Sequence, residues 1–241
     1  MQEIEDFCGY FERQLEVITR LDVDWGSLPN VAPEDYQTRF YRKALLVVGI
    51  DTLAGVRFPR THFPGLNRNN RERFTRFVTE VARWSDGERV SAPFLIERMR
   101  SPQFADGPLK RHLLEKLSPF DVTAGGQIGA SEVDESAEEL LAYATSEKEE
   151  IAIYDLQHCS LLYRYRNRLI HESREPGSAM ELDSLRSEPY YHGYLNDERW
   201  YLVYPMQLFT DVYKAAVDGL KSYLLANSLN PYDFVEETSR W

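Results

Sequence analysis

The chain has 241 residues, 43% of them hydrophobic and 28% charged, the proportions of a folded globular protein long enough to bury a core. Its net charge of −11 and pI near 5.0 argue against the whole molecule acting as a non-specific coat on nucleic acid. No apolar run approaches the roughly 18 residues of a membrane span, and the N-terminus, acidic from its third residue, does not read as a signal peptide, so a cytoplasmic protein is expected.

Ile4, Phe7, Phe11, Leu15 and Ile18 recur at helical spacing and predict a first amphipathic helix over residues 3 to about 21. A second helix has its apolar body from Phe40 through Leu53, with Asp35 as the candidate cap. Asp51 sits inside that apolar body. A carboxylate there needs a partner, and an arginine of the fourth helix is the natural candidate. The third helix starts near Asn69 and turns Phe74, Phe77, Val78 and Val81 inward. Shorter helical pieces are predicted at 94–99, 109–118 and 135–145. The segment Ala124 to Gly129 reads as a flexible connection, because a phosphate cradle needs a following Gly-Lys-Ser/Thr and a preceding strand. The acidic stretch from Glu132 to Glu150 reads as a solvated helical face.

The fourth long helix places Ile151, Tyr154, Cys159, Leu162, Tyr165 and Leu169 on one side and stops before Glu175-Pro176-Gly177. After it, Tyr190–Leu195 and Trp200–Tyr204 are aromatic-rich, with Asn196–Arg199 as the turn between them. This is a β-hairpin insertion at about 189–205, which has to pack on the helices or on a partner to be stable. A fifth helix runs from Met206 to Leu225. With no internal repeat and no linker, the reading is a single domain over 1–241: an all-α helical bundle with a β-hairpin insertion before the last long helix.

The chemistry concentrates in Arg164-Tyr165-Arg166-Asn167-Arg168-Leu169-Ile170-His171, where three arginines crowd a helix end beside an Asn and a His. On a helix, Asn167 and His171 lie about 40° apart, and Arg164 and His171 about 20°. Arg166 and His171 are separated by about 140°, so one helix cannot aim both at one point, whereas two copies packed together could. A homodimer is therefore expected. The carbonyl end of a helix attracts cations, and histidine is the side chain that exchanges a proton nearest neutral pH. A histidine flanked by phosphate-holding cations is what metal-independent RNA cleavage requires. Because these residues sit near a helix end, replacing Arg166 or His171 is expected to leave folding almost unchanged.

Arg166-Asn167-x-x-x-His171, late in the chain and before the last long helix, resembles the RNxxxH form of the HEPN superfamily motif. That superfamily is a helical-bundle group found in prokaryotic toxin–antitoxin and antiviral systems. The resemblance implies a HEPN-like fold with Arg166, Asn167 and His171 as catalytic residues in a composite site at a homodimer interface. It further implies a metal-independent endoribonuclease acting on RNA in a toxin or phage-defence setting, with no cofactor, alongside an antitoxin or other defence-system partner protein. Members paired with nucleotidyltransferase antitoxins often carry a tyrosine two residues after the histidine. Here that position is Ser173, so regulation through such a tyrosine is not expected. The alternative is a non-catalytic HEPN-like scaffold or regulatory subunit that binds a protein partner or a nucleotide, in which the motif only caps carbonyls and solvates the helix end.

A second basic zone holds Arg57, Arg60, Arg68, Arg71, Arg73 and Arg76, interleaved with Phe58, His62 and Phe63. It suits a phosphate track with stacking rings and equally a solvated loop leading into a helix. Cys8 and Cys159 lack CxxC spacing, and His62, His112, His158 and His192 lack the spacing of metal ligands, so no metal and no disulfide are expected.

Overall fold

The computed structural model describes residues 1–22, 34–59, 61–66, 69–175, 181–182 and 185–235. In chain order its elements are α1 (Gln2–Arg20), α2 (Glu34–Arg57), α3 (Asn70–Arg76), β1 (Arg89–Val90), α4 (Ala92–Arg98), α5 (Pro108–Leu117), β2 (Gly126–Gly129), α6 (Ala130–Val133), β3 (Glu135–Ser136), α7 (Ala137–Leu141), α8 (Glu147–Asp155), α9 (His158–His171), β4 (Tyr190–Gly193), β5 (Trp200–Val203), α10 (Met206–Asn227) and α11 (Tyr232–Val235). The fold is mostly helical with small sheets. Among the described residues no helix is long and apolar enough to cross a membrane.

The chain divides into two compact units, both discontinuous in sequence. The first comprises Met1–Trp84, Tyr165–Glu175 and Phe209–Trp241, and the second Ser85–Arg164 and Pro176–Leu208. The dividing lines fall within α9 and near the start of α10.

In the first unit α1 turns Ile4, Phe7, Phe11 and Ile18 inward, the period read from the sequence. Leu46, Val47, Ile50 and Leu53 of α2 and Phe209, Ala216 and Leu220 of α10 are fully buried. Two glycines permit close approach. Gly49 has no side chain to collide with the Tyr213 ring, whose hydroxyl donates to the Phe11 carbonyl at 3.2 Å. Gly219 faces the carbonyl oxygen of Val81. Asn69 caps α3, its side chain accepting from the Glu72 amide. Beyond α3 the chain widens into a π-turn at Phe77–Val81. The second helix begins at Glu34, so Asp35 lies inside its first turn and is not the cap that the sequence suggested.

In the second unit the hairpin forms as read. β4 and β5 pair antiparallel with Tyr190 opposite Val203 and Gly193 opposite Trp200, and Asn196 adopts a left-handed φ of 61° in the turn. The third strand of its sheet is β2, paired antiparallel with β4. Ala124–Gly129 is therefore not a flexible connection: a 3-10 turn at Val122–Ala124 leads through Gly125, at φ 73°, into the strand. Too glycine-rich to look like a strand, it is held in place by hairpin pairing.

Three further expectations fail. The fourth helix is two helices. Its break falls at Leu156–Gln157, where the Leu156 carbonyl accepts from the Ser91 amide at 3.0 Å and Gln157 bridges Val90. Ile151 and Tyr154, read as core, are each 51% exposed, because the break resets the helical phase. The piece at 135–145 shortens to α7. Ser136 caps it by accepting from the Glu139 amide, and the Glu139 carboxylate accepts from the Ser136 amide in return. The acidic stretch is likewise not one solvated face, since Asp134 and Glu149 are buried.

The buried Asp134 organises this unit. Its Oδ1 accepts from the Ala92 amide at 2.9 Å, and its Oδ2 lies 2.7 Å from both the Tyr191 hydroxyl and His158 Nε2. His158 Nδ1 lies 3.0 Å from the Tyr204 hydroxyl, and the Tyr191 hydroxyl 2.9 Å from Ser91 Oγ. Burial pushes the Tyr191 phenol well above its ordinary value, and the Asp134 charge pushes it further. Burial does the same to Tyr204. Both therefore serve as neutral hydrogen-bonding groups.

The glycine contacts generate a stability test. Gly219→Ala sets a methyl against the Val81 backbone and is expected to destabilise by about 1–3 kcal/mol. Gly55→Ala, in α2 with no atom within 4 Å of the new methyl, is expected to stabilise by about 0.5–1 kcal/mol. Chemical denaturation of the two variants checks both signs.

Candidate active site

Arg166, Asn167 and His171 all lie on the part of α9 that belongs to the first unit. Tyr165 and Leu169 anchor that segment, being 5% and 2% exposed, while Arg166 and Asn167 are half-buried and His171 is exposed.

Asp51 of α2 receives Arg166. The Arg166 Nη2 donates to Asp51 Oδ2 at 2.6 Å, with the two side chains 13% and 18% exposed. The partner proposed for Asp51 from its place in an apolar helix is thus present. The other terminal nitrogen, Nη1, donates to Asn167 Oδ1 at 2.9 Å and lies 3.5 Å from His171 Nε2. His171 Nε2 can accept from it only when the ring proton is on Nδ1.

This geometry corrects the angular argument. Arg166 and His171 do approach one another in a single chain, despite pointing about 140° apart on an ideal helix. The long arginine stem carries its guanidinium along the helix end, and His171 is the last helical residue, where the backbone no longer confines it. The angle alone therefore gives no reason for a second copy.

The helix ends differently from its predicted stop. Ser173 adopts a left-handed φ of 51°, and the Arg174 amide reaches back six residues to the Arg168 carbonyl at 3.4 Å, closing the helix end through a left-handed residue. Pro176 and Gly177 lie outside the described residues. Lys43, with a fully buried side chain, fixes the chain just beyond. Its Nζ lies 3.4 Å from Glu175 and 3.5 Å from the Tyr165 hydroxyl, which donates to Glu175 at 2.7 Å. A buried ammonium is tolerable because it has a carboxylate and the faces of Tyr165 and Phe209 around it.

Other candidates are elsewhere. Arg164 pairs with Asp155 at 3.8 Å. Of the basic zone, Arg60 and Arg68 lie outside the described residues. The Arg57 guanidinium stacks 3.8 Å from the Tyr223 ring centre and 4.5 Å from that of Phe58, Arg76 pairs with Glu80 at 2.8 Å, and Arg73 comes within 4.0 Å of Asp51. His62 packs on Phe234, His112 meets Glu135 at 2.6 Å, and His158 belongs to the Asp134 network. Among the described residues no group of three or more His, Cys, Asp or Glu side chains is placed to hold a metal ion. Both cysteines are buried thiols that are not joined in a disulfide, and burial pushes the Cys8 thiol up to about 11. The sequence reading placed Arg73 in the basic zone but missed its approach to Asp51, and it missed Lys43 altogether. Local spacing marks neither contact, since each depends on an element distant in the chain.

Comparison of the chain with protein-family models, with curated proteins and with solved structures finds no match. What the site does has to be argued from its own geometry.

Two measurements test this description. A double-mutant cycle on Asp51→Ala and Arg166→Ala is expected to give a coupling of about 0.5–3 kcal/mol, and additive effects would show that the pair is not coupled. Ser173→Gly relieves a left-handed residue and is expected to raise stability by about 0.5–1 kcal/mol, read from the thermal midpoint.

Proposed function

We propose that this chain is a HEPN-type, metal-independent endoribonuclease, with Arg166, Asn167 and His171 as its catalytic set. The observation that carries the reading is their convergence: one guanidinium, fixed by Asp51, bonds Asn167 and approaches His171. A cation, an amide and an exposed imidazole side by side are the groups that phosphodiester transfer to a neighbouring hydroxyl uses.

In the reaction a base takes the proton of the RNA 2′-hydroxyl, and O2′ attacks the adjacent phosphorus. The bond from phosphorus to O5′ breaks, and an acid protonates the departing O5′. The products are a 2′,3′-cyclic phosphate and a 5′-hydroxyl. His171 supplies one of the two proton-transfer groups, Arg166 stabilises the charge on the phosphorane, and Asn167 orients Arg166. One chain offers one such histidine, so the second group is assigned to His171 of a second copy. The homodimer thus rests on the count of proton-transfer groups and no longer on the helical angle. The setting implied by the motif is a toxin or phage-defence system with an antitoxin or other partner protein.

Because Arg166 is paired in a mostly buried position, Arg166→Ala is expected to lower stability as well as activity, and His171→Ala, at an exposed position, is the cleaner test. His171→Ala should cut the cleavage rate by about 10²–10⁴-fold with an unchanged melt. Cleavage by the parent should survive EDTA, leave cyclic phosphate ends and spare DNA, which lacks the attacking hydroxyl. If His171→Ala cleaves like the parent, or no RNA is ever cut, the motif is structural and the protein is a scaffold or regulatory subunit.

A further inference from the structure

Among the described residues the charge of Arg73 has no close counter-ion of its own. It lies on α3 with its side chain 12% exposed, and its ionic contact among the described residues is the 4.0 Å approach of Nη2 to Asp51 Oδ1. That separation is too long for a hydrogen bond. Neither Asp51 Oδ1 nor Arg73 Nε has a hydrogen-bond partner, while the other Asp51 oxygen is already held by Arg166 at 2.6 Å. Two guanidiniums therefore face one carboxylate, and the second has only a loose hold on it. A mostly buried cation beside a carboxylate that another arginine has neutralised is unfavourable. An incoming anion corrects the imbalance.

The rest of the basic zone narrows the choice. Arg76 is bonded to Glu80, and Arg57, although its Nε and Nη1 have no hydrogen-bond partner, is covered by the Tyr223 and Phe58 rings. Arg73 is the one that shares a carboxylate with the motif arginine. Planar guanidiniums match the paired oxygens of a phosphate better than a lysine does, and two of them meeting at one point favour a phosphate that both can reach.

We propose that Arg73 and Arg166 form a clamp for a backbone phosphate of a polynucleotide, with Asp51 as the resident carboxylate that orients both guanidiniums. The clamp rests on the reading of this site as one that handles RNA, and it adds a phosphate-binding residue, Arg73, that the motif does not contain.

The test separates binding from cleavage. A fluorescent single-stranded oligonucleotide with 2′-O-methyl groups throughout cannot be cut by 2′-hydroxyl attack, so its anisotropy titration reads the clamp alone. Arg73→Gln is expected to weaken binding roughly ten-fold at low salt and to lower the slope of log K against log salt by about one phosphate contact. Arg76→Gln, whose partner is Glu80, should stay within about two-fold of the parent. Since Arg73 is mostly buried, Arg73→Lys is the second variant. It keeps the charge and the stem but loses the planar fork, so it should bind a few-fold more weakly with the salt slope unchanged. Parent-like binding and slope in Arg73→Gln, or a parent that does not bind the oligonucleotide, overturns the clamp. A parent that binds through Arg73 yet never cuts RNA upholds the clamp and sinks the endonuclease reading. Cleavage that depends on His171 while Arg73→Gln binds normally does the reverse.

Discussion

Asp51 lies one residue after Ile50 and two before Leu53, both fully buried, so its carboxylate would be left in a poor solvent unless a cation came to it. Arg166 is that cation. A helix can rotate about its axis at modest cost in apolar contacts, but a turn of one residue, about 100°, would carry the Arg166 guanidinium away and strand the carboxylate. The pair therefore fixes the rotational setting of the last turns of α9 against α2. Once that setting is fixed, Asn167 beside Arg166 and His171 at the helix end follow from covalent geometry. Lys43, holding Glu175 and Tyr165, fixes the chain just beyond the histidine. The convergence of the three motif residues is thus a by-product of satisfying two buried charges.

The second unit also depends on a buried aspartate, and the contrast is informative. Asp134 is saturated: an amide, a phenol and an imidazole from α4, β4 and α9 meet its two oxygens. Such a network ties three elements together and leaves nothing to bind a ligand. Asp51 has one oxygen in a short bond and one with none. The first pattern belongs to a structural hub. The second leaves one carboxylate oxygen unmatched, the observation on which the proposed phosphate clamp rests, and the two aspartates are told apart by satisfaction and not by burial alone.

Much of the fold was legible where a single face is buried over many turns. Ile4, Phe7, Phe11 and Ile18 keep one phase through α1, and the tyrosines of β4 and β5 announce a hairpin by composition. The pairing of Asp51 with an arginine of the later helix was legible too, because an acid in an apolar run demands a base. What failed were features that depend on partners distant in sequence. Gly126–Gly129 becomes a strand because β4 offers it an edge. The helix break at Leu156–Gln157 is made by Ser91 and Val90, some sixty-odd residues earlier. The Arg166–His171 approach is not legible from Cα–Cβ directions, because the reach of the arginine stem makes it.

The division of the chain bears on how it is made. The first unit opens with α1 to α3 and is completed by Phe209–Trp241, while the second occupies Ser85–Arg164 and Pro176–Leu208. The bond from the Tyr213 hydroxyl to the Phe11 carbonyl spans 202 residues of sequence. A ribosome emitting this chain delivers the apolar faces of α1 and α2 long before α10 exists to cover them. All of the second unit has been delivered once Leu208 emerges, whereas the first still waits for Phe209–Trp241, so the usual order in which the N-terminal unit closes first is reversed, and the entropy of closing so long a loop slows completion of the first unit. Until α10 emerges, the early helices are a natural client for a chaperone, and the Asp51–Arg166 pair cannot form before residue 166 has left the exit tunnel.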